Sequence, residues 1–236
     1  MDISLYSVEQ GSGEPLVLLH GNGEDSSYFQ RQMEYFSREY RVIAVDTRGH
    51  GQSPRGEKPF TLPQFAEDLK GFMDENKIEK AHILGFSDGG NIALLFALRY
   101  PEMVGKLILN GANLSPAGVK RTYQIPIIIG YGIVSAISAF DKGATAKKEL
   151  LGLMVTQPDI SPSELSTLPT PTLVIAGTRD MIKTSHTRLI ASSIPGAKLC
   201  LLEGGHFIAA KSPRAFNEAV LNFLHEQPEI SQYNKG

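Results

Sequence analysis

The sequence predicts an α/β protein built on one mostly parallel sheet flanked by helices. Short runs of Val, Ile and Leu alternate with longer stretches of helical period. Each apolar run passes into a glycine-rich or polar loop, as strands do when their carboxyl ends carry a site. The 236 residues, 42% hydrophobic and 20% charged, suit a single domain with a sizeable core. Strands joined by helices require a parallel sheet covered on both faces.

Strands are expected near 3–9, 16–20, 41–46, 81–86, 106–110, 172–177 and 198–202. Helices are expected near 26–37, 61–76, 88–100, 184–194 and 213–227. Pro63 falls in a first turn, Thr184 reads as an N-cap, and Pro101 closes the helix that starts at 88. No internal repeat or low-complexity tract is visible.

A net charge of −2 gives no basic patch for nucleic acid and no acidic tail. Cys200 is the single cysteine, expected as a buried strand residue, and its isolation fits a reducing, cytoplasmic setting. The start, Met1-Asp2-Ile3-Ser4-Leu5, lacks the basic and apolar regions of a secretory signal, so none is expected. No H-E-x-x-H or similar spacing suggests a metal, and no cofactor is expected.

The most informative stretch is Gly85-Phe86-Ser87-Asp88-Gly89. It follows the apolar run Ala81-His82-Ile83-Leu84 and leads into the helical Asn91-Ile92-Ala93-Leu94-Leu95. Strand, glycine-flanked serine and helix form the pattern of a nucleophile elbow, in which glycines let strand and helix approach closely. Asp180 lies in the loop after Thr172-Leu173-Val174-Ile175-Ala176, and His206 in the loop after Lys198-Leu199-Cys200-Leu201-Leu202. A serine hydroxyl needs a base, so His206 is expected to take its proton and later return it. Asp180 would orient the imidazole and stabilise its cation. The developing oxyanion would be met by the backbone N–H groups of Asp88 and of Asn22, in His20-Gly21-Asn22-Gly23.

Each of the three also has a plainer reading. Ser87 could be a turn serine, Asp180 a loop or N-cap carboxylate, and His206 a structural histidine. Asp159, the one rival acid, sits in a proline-rich connector, and the last residue of the strand before it is Asn110. Arg48 and His50 are read as structural; His82, His186 and His225 have no partner at a telling spacing.

Taken together, His20-Gly21-Asn22-Gly23, Asp46-Thr47-Arg48-Gly49-His50-Gly51-Gln52-Ser53, the elbow, Gly177-Thr178-Arg179-Asp180 and Gly205-His206 resemble the α/β-hydrolase superfamily, serine-nucleophile branch. They run in its order over nearly the whole chain. The resemblance implies an α/β-hydrolase core at 1–114 and 169–236, and a small helical lid at 115–168 after the family's sixth sheet position. There is no room for the extra N-terminal strand of many relatives, so 3–9 is expected as an antiparallel edge strand. Six parallel strands should follow it.

The lid would contain an uncharged apolar stretch from Thr122 to Phe140. Pro126, Gly130, Gly132 and Gln124 argue against a membrane span. A helix apolar nearly all round is expected to be buried between lid and core, with Ile129 and Ile133, together with Phe207, lining an apolar substrate pocket. Only Lys120 and Arg121 flank it with basic charge, so lipid contact is unsupported.

Gly-Phe-Ser-Asp-Gly-Gly is similar to the elbow of valacyclovir-hydrolase-like α-amino-acid ester hydrolases. That resemblance would have Asp88 bind a substrate ammonium; the alternative is a carboxylate favoured at a helix start. The resemblance implies a cofactor-free serine esterase acting on small or medium, partly apolar esters. It would be a monomer or homodimer without a nucleic-acid partner. Alternatives are a lyase or acyltransferase with the same triad, or a ligand-sensing receptor with slow turnover. An aspartate nucleophile is excluded by Ser87. Gly23-Glu24-Asp25-Ser26 departs from the Gly-Pro-Gly-Ala of carbon–carbon bond hydrolases of ring-fission products.

Overall fold

Side chains alternate across a strand, so a strand buried on both sides must feed two cores. The computed structural model of the protein, which describes residues 2–226, shows this arrangement. In chain order the elements are β1 (Ser7–Gln10), β2 (Glu14–Leu19), α1 (Gln30–Phe36), β3 (Tyr40–Val45), α2 (Leu62–Glu75), β4 (Ala81–Phe86), α3 (Asp88–Arg99) and β5 (Val104–Asn110). They continue with α4 (Arg121–Ser138), α5 (Thr145–Thr156), α6 (Pro162–Leu165), β6 (Thr172–Gly177), α7 (Thr184–Ser193), β7 (Lys198–Leu202), α8 (Ile208–Lys211) and α9 (Pro213–His225).

The sheet runs β1-β3-β2-β4-β5-β6-β7. Only β1 is antiparallel, with Ser7 opposite Val45; the other pairings are parallel. Val17, Leu19, Ile43 and Val45 face one core with Phe65, Leu69 and Phe72 of α2 and Ile92 and Phe96 of α3. Leu16, Leu18, Val42 and Ala44 face the other, against Met33 and Phe36 of α1 and Phe216 and Val220 of α9. Each of these side chains larger than alanine contributes roughly 1.5–3 kcal/mol by leaving water.

Four expectations need correction. First, β1 begins at Ser7, not at residue 3: the arm before it turns onto the loop after β3. There Tyr6 N–H donates to Ser53 Oγ at 2.8 Å and the Asp2 carboxylate pairs with Arg48. Second, Thr184 is the first helical residue of α7 rather than its cap. Lys183 takes that place in an extended conformation, its N–H bonded to Gly118 O at 2.9 Å. Third, Cys200 is half-buried, because β7 is an edge strand.

The fourth concerns α4. In it only Gln124 and Val134 are buried, and Ile129 and Ile133 are each 57% exposed. The helix packs one face on α5 and turns the other to solvent, so these two isoleucines line no pocket at Ser87. Apolar character on every side did not reveal which side would find a neighbour. Among the described residues, no helix is long and apolar enough to cross a membrane.

The connection from β5 to β6 is fastened at both ends. Ile160 N–H donates to Leu114 O at 2.9 Å, and Val119 bridges Ile182. Lys120 N–H donates to Met181 O at 2.9 Å. Of the helices in this connection, α5 reaches the loop after β2, where Leu150 O accepts from Asn22 Nδ2.

Candidate active site

Ser87 occupies the one-residue turn between β4 and α3 with φ 54° and ψ −120°. A side chain in this conformation costs of order 1–3 kcal/mol and persists only where its surroundings enforce it. Here Ser87 N–H is held by Asn110 O at 2.8 Å, and Ser87 O accepts from Asn91 N–H at 3.1 Å. Close packing also requires the flanking glycines. A β-carbon on Gly85 would collide with the Gly89 backbone, and one on Gly89 with Leu19 O. The turn projects the serine hydroxyl above the sheet.

His206 comes from the loop after β7. Its Nε2 lies 3.0 Å from Ser87 Oγ, and its Nδ1 lies 2.7 Å from Asp180 Oδ1. Asp180, in the loop after β6, is buried and also accepts from Ile182 N–H at 2.9 Å. The two loops are bonded to each other: Thr178 N–H donates to Leu202 O and Arg179 N–H to Gly204 O, both at 2.8 Å. Three residues far apart in sequence therefore meet in one hydrogen-bonded line. A hydroxyl so placed can pass its proton to the imidazole while the carboxylate holds the opposite N–H.

The loop after β2 closes the other side. His20 is buried, and Thr47 N–H donates to its Nε2 at 3.0 Å. Its Nδ1 can then carry the proton, donated to Gly21 O at 2.7 Å. Burial pushes the His20 pKa down to about 4, so the ring is a neutral strut for the Gly21-Asn22 turn. The sequence motif contained His20, but its role as a strut depends on the fold. Asn22 borders the same cavity as Ser87, and Asp88 N–H, at the first position of α3, has no intrahelical acceptor.

The Asp88 carboxylate is buried, which raises its pKa; the amides of Asn22 and Asn91 offset part of that rise. Asn22 Nδ2 donates to one oxygen at 2.9 Å and Asn91 Nδ2 to the other at 3.2 Å. Asn22 Nδ2 also reaches Leu150 O of α5 at 2.9 Å. Asp88 thus ties the loop after β2 to the helix after the elbow, and Asn22 ties that loop to α5.

Glu24 was not anticipated as a site residue. It borders the cavity with Ser87 and His206, accepts Gly21 N–H at 3.2 Å, and is pushed up to a pKa of about 7 by desolvation. Its presence was legible in Gly23-Glu24; its partial burial was not.

The cavity at Ser87 and His206 is about 100 Å³, bordered by Phe86, Met154, Met181 and Phe207. A neighbouring void of about 20 Å³ adjoins Ser87, Asp88, Val119 and Ile182. Phe207, 47% exposed, is one of the residues at the edge of the Ser87–His206 cavity. A larger groove of about 690 Å³ lies away from these groups, between β1 and the start of α1. Among the described residues, no three His, Cys, Asp or Glu side chains are grouped to hold a metal. Of the residues read as structural, Arg48 is fully buried and bonded to Asp68 and Asp2, and His50 lies within 3.1 Å of Thr47 Oγ1.

Comparison with known proteins agrees with this architecture. Residues 14–129 match the family model described as the alpha/beta hydrolase fold. The chain is 30% identical to a 2-hydroxy-6-oxononadienedioate/2-hydroxy-6-oxononatrienedioate hydrolase of Cupriavidus pinatubonensis, over 94% of this chain and 91% of that protein. It is 28% identical to RutD of Caulobacter sp. (strain K31), provisionally named a carbamate hydrolase, over 89% and 90%. Among solved structures, the enol-lactonase of Burkholderia xenovorans LB400 superposes with a TM-score of 0.80 at 23% identity, over 95% of this chain and 97% of the other. The chain belongs to the alpha/beta hydrolase family.

Proposed function

We propose that the protein is a serine hydrolase that cleaves carboxylic esters through an acyl-enzyme. The observation that carries this reading is the line Ser87 Oγ, His206 Nε2, His206 Nδ1, Asp180 Oδ1, with contacts of 3.0 and 2.7 Å on a strained serine turn. In this reading His206 takes the Ser87 proton as Oγ attacks the ester carbonyl. The backbone N–H groups of Asn22 and Asp88 receive the oxyanion, and His206 then protonates the leaving alcohol. Water activated by the same imidazole releases the acid and restores Ser87.

The substrate is small. A cavity of about 100 Å³ is well below the 300–1,000 Å³ of drug-sized sites, so short acyl groups fit and longer ones need α5 to move. Met154 and the Leu150 carbonyl, both on α5, stand over Ser87 and Asn22, which supports 115–168 as a lid on a core of 1–114 and 169–236. Phe207 and Met181 supply the apolar wall. An ammonium at Asp88 would have to displace the Asn22 amide, so the carboxylate serves first to hold that loop.

The Cupriavidus relative gives a second reading, hydrolysis of a carbon–carbon bond in a dicarboxylate. Against it, neither Lys nor Arg borders the cavity or the void beside Ser87, so nothing there pairs with the two carboxylates of such a substrate.

Hydrolysis of 4-nitrophenyl esters from acetyl to decanoyl tests the proposal. Fast turnover of acetyl or propionyl ester, abolished in Ser87→Ala, is the expected result. Turnover that survives in Ser87→Ala, or a preference for a ring-fission dicarboxylate over every ester, rejects it.

A further inference from the structure

Ile125, Ile128, Ile129, Ile133 and Ile137 recur at helical spacing along one face of α4, each 47–57% exposed. Phe140, at the turn into α5, is 95% exposed. The opposite face is occupied: Val134 is buried, and Gln124 Nε2 donates to Met154 O at 3.1 Å. The uncovered stripe is therefore an apolar patch of several hundred Å², on the order that marks an interaction surface.

Its charged border is mainly basic. Between residues 120 and 149 the chain carries Lys120, Arg121, Lys142, Lys147 and Lys148 against Asp141 and Glu149, and Glu149 is paired with Arg55, although the whole chain has a net charge of −2. Lys120 is engaged by Asp180 O, whereas Arg121, Lys142 and Lys147 are exposed and Lys148 half-exposed. The hairpin brings three of these lysines to the end of α4 where Phe140 projects.

We propose that α4 and its tip dock on an anionic lipid surface. The isoleucine stripe and Phe140 enter the boundary between headgroups and acyl chains, while Arg121, Lys142, Lys147 and Lys148 meet the negative headgroups. The helix lies in the plane of the interface and does not span it. A second copy of this chain fits the face less well, because helices paired in either direction would set basic residues against basic residues. The other arm of the hairpin carries Leu150 and Met154, so docking brings the lid of the Ser87 cavity to the lipid. That last consequence rests on the esterase reading, whereas the docking does not.

The test is co-sedimentation of the full chain with vesicles of phosphatidylglycerol and phosphatidylcholine, and with phosphatidylcholine alone. The chain should pellet with the anionic vesicles at low salt and be released at high salt. Partitioning should fall about tenfold or more in Phe140→Ser and in the double variant Ile129→Gln/Ile133→Gln. Lys142→Gln should lose about fivefold. Thermal unfolding provides the folding control, and Ser87→Ala should bind as wild type does, which separates docking from catalysis. The proposal is overturned by absence of binding to anionic vesicles, or by binding that these substitutions leave unchanged. It is equally overturned by a dimer in light scattering that the isoleucine substitutions convert to monomer.

Discussion

A β-carbon on Gly111 would stand 2.9 Å from His206 Cε1 and 3.0 Å from its Nδ1. Gly111 is the first residue after β5, has a φ of 64°, and is pinned by its N–H to Ile175 O at 3.1 Å. The floor beneath the imidazole is thus a backbone that cannot retreat. Gly111→Ala should push the ring off line and lower kcat/KM about 100-fold. The unfavourable φ should also cost of order 1–3 kcal/mol of stability. Steady-state kinetics with thermal unfolding on the same samples check both.

Asp180→Asn keeps the size of the side chain but removes its charge and presents the wrong atoms to His206 Nδ1. A loss of kcat of about 10³–10⁴-fold is expected, with little change in KM or in the unfolding transition. Near-normal turnover would place the orienting acid elsewhere.

Glu24 gives a pH dependence of stability. Its carboxyl titrates at about 7 when folded, against an ordinary 4.5, because burial disfavours the charge. Between those values the folded state holds a proton that the unfolded state has lost, so this group's contribution to stability falls as pH rises through the window. Glu24→Gln removes that fall. The Tm of the variant relative to wild type should rise from about pH 4.5 to about pH 7 and then level off. A difference independent of pH would show that Glu24 is solvated like a surface carboxyl.

Arg48 has no exposed side-chain surface and is gripped by Asp68, Nε to Oδ2 and Nη2 to Oδ1, both at 2.6 Å. Asp68→Ala leaves a buried guanidinium with Asp2 as its remaining acidic partner. Denaturant unfolding should show a loss of about 3–5 kcal/mol, far more than for an exposed ion pair such as Lys70–Asp74.

The seven strands, the helices around them and the meeting of Ser87, Asp180 and His206 were legible in sequence for one reason. Parallel α/β chains place chemistry at strand ends, and apolar runs between helical stretches mark the six parallel strands, whereas the edge strand Ser7–Gln10 has no such run and its start was misplaced. What escaped depended on contacts between distant segments. The stripe of α4 faces solvent because α5 covers only one side of it, and a helix apolar all round carries no mark of which side that is. Glu24 is half-buried because the loop after β2 folds back, so that its carboxylate accepts Gly21 N–H beside the cavity of Ser87, a contact that the loop sequence does not mark. The amide of Asn22 bonds Asp88 and Leu150 because three segments distant in sequence, the loop after β2, α3 and α5, converge on it.

The bond from Ile160 N–H to Leu114 O has a consequence for how this molecule can diversify. The ends of the insertion meet at a fixed gate, so the sheet registers the gate and not the length of chain beyond it. Doubling such a loop costs only about 0.6 kcal/mol in closure entropy. The roof over Ser87 can therefore be lengthened, trimmed or grafted from a relative while β5 and β6 keep their register. Selectivity can drift on one segment while the proton relay beneath it stays in place.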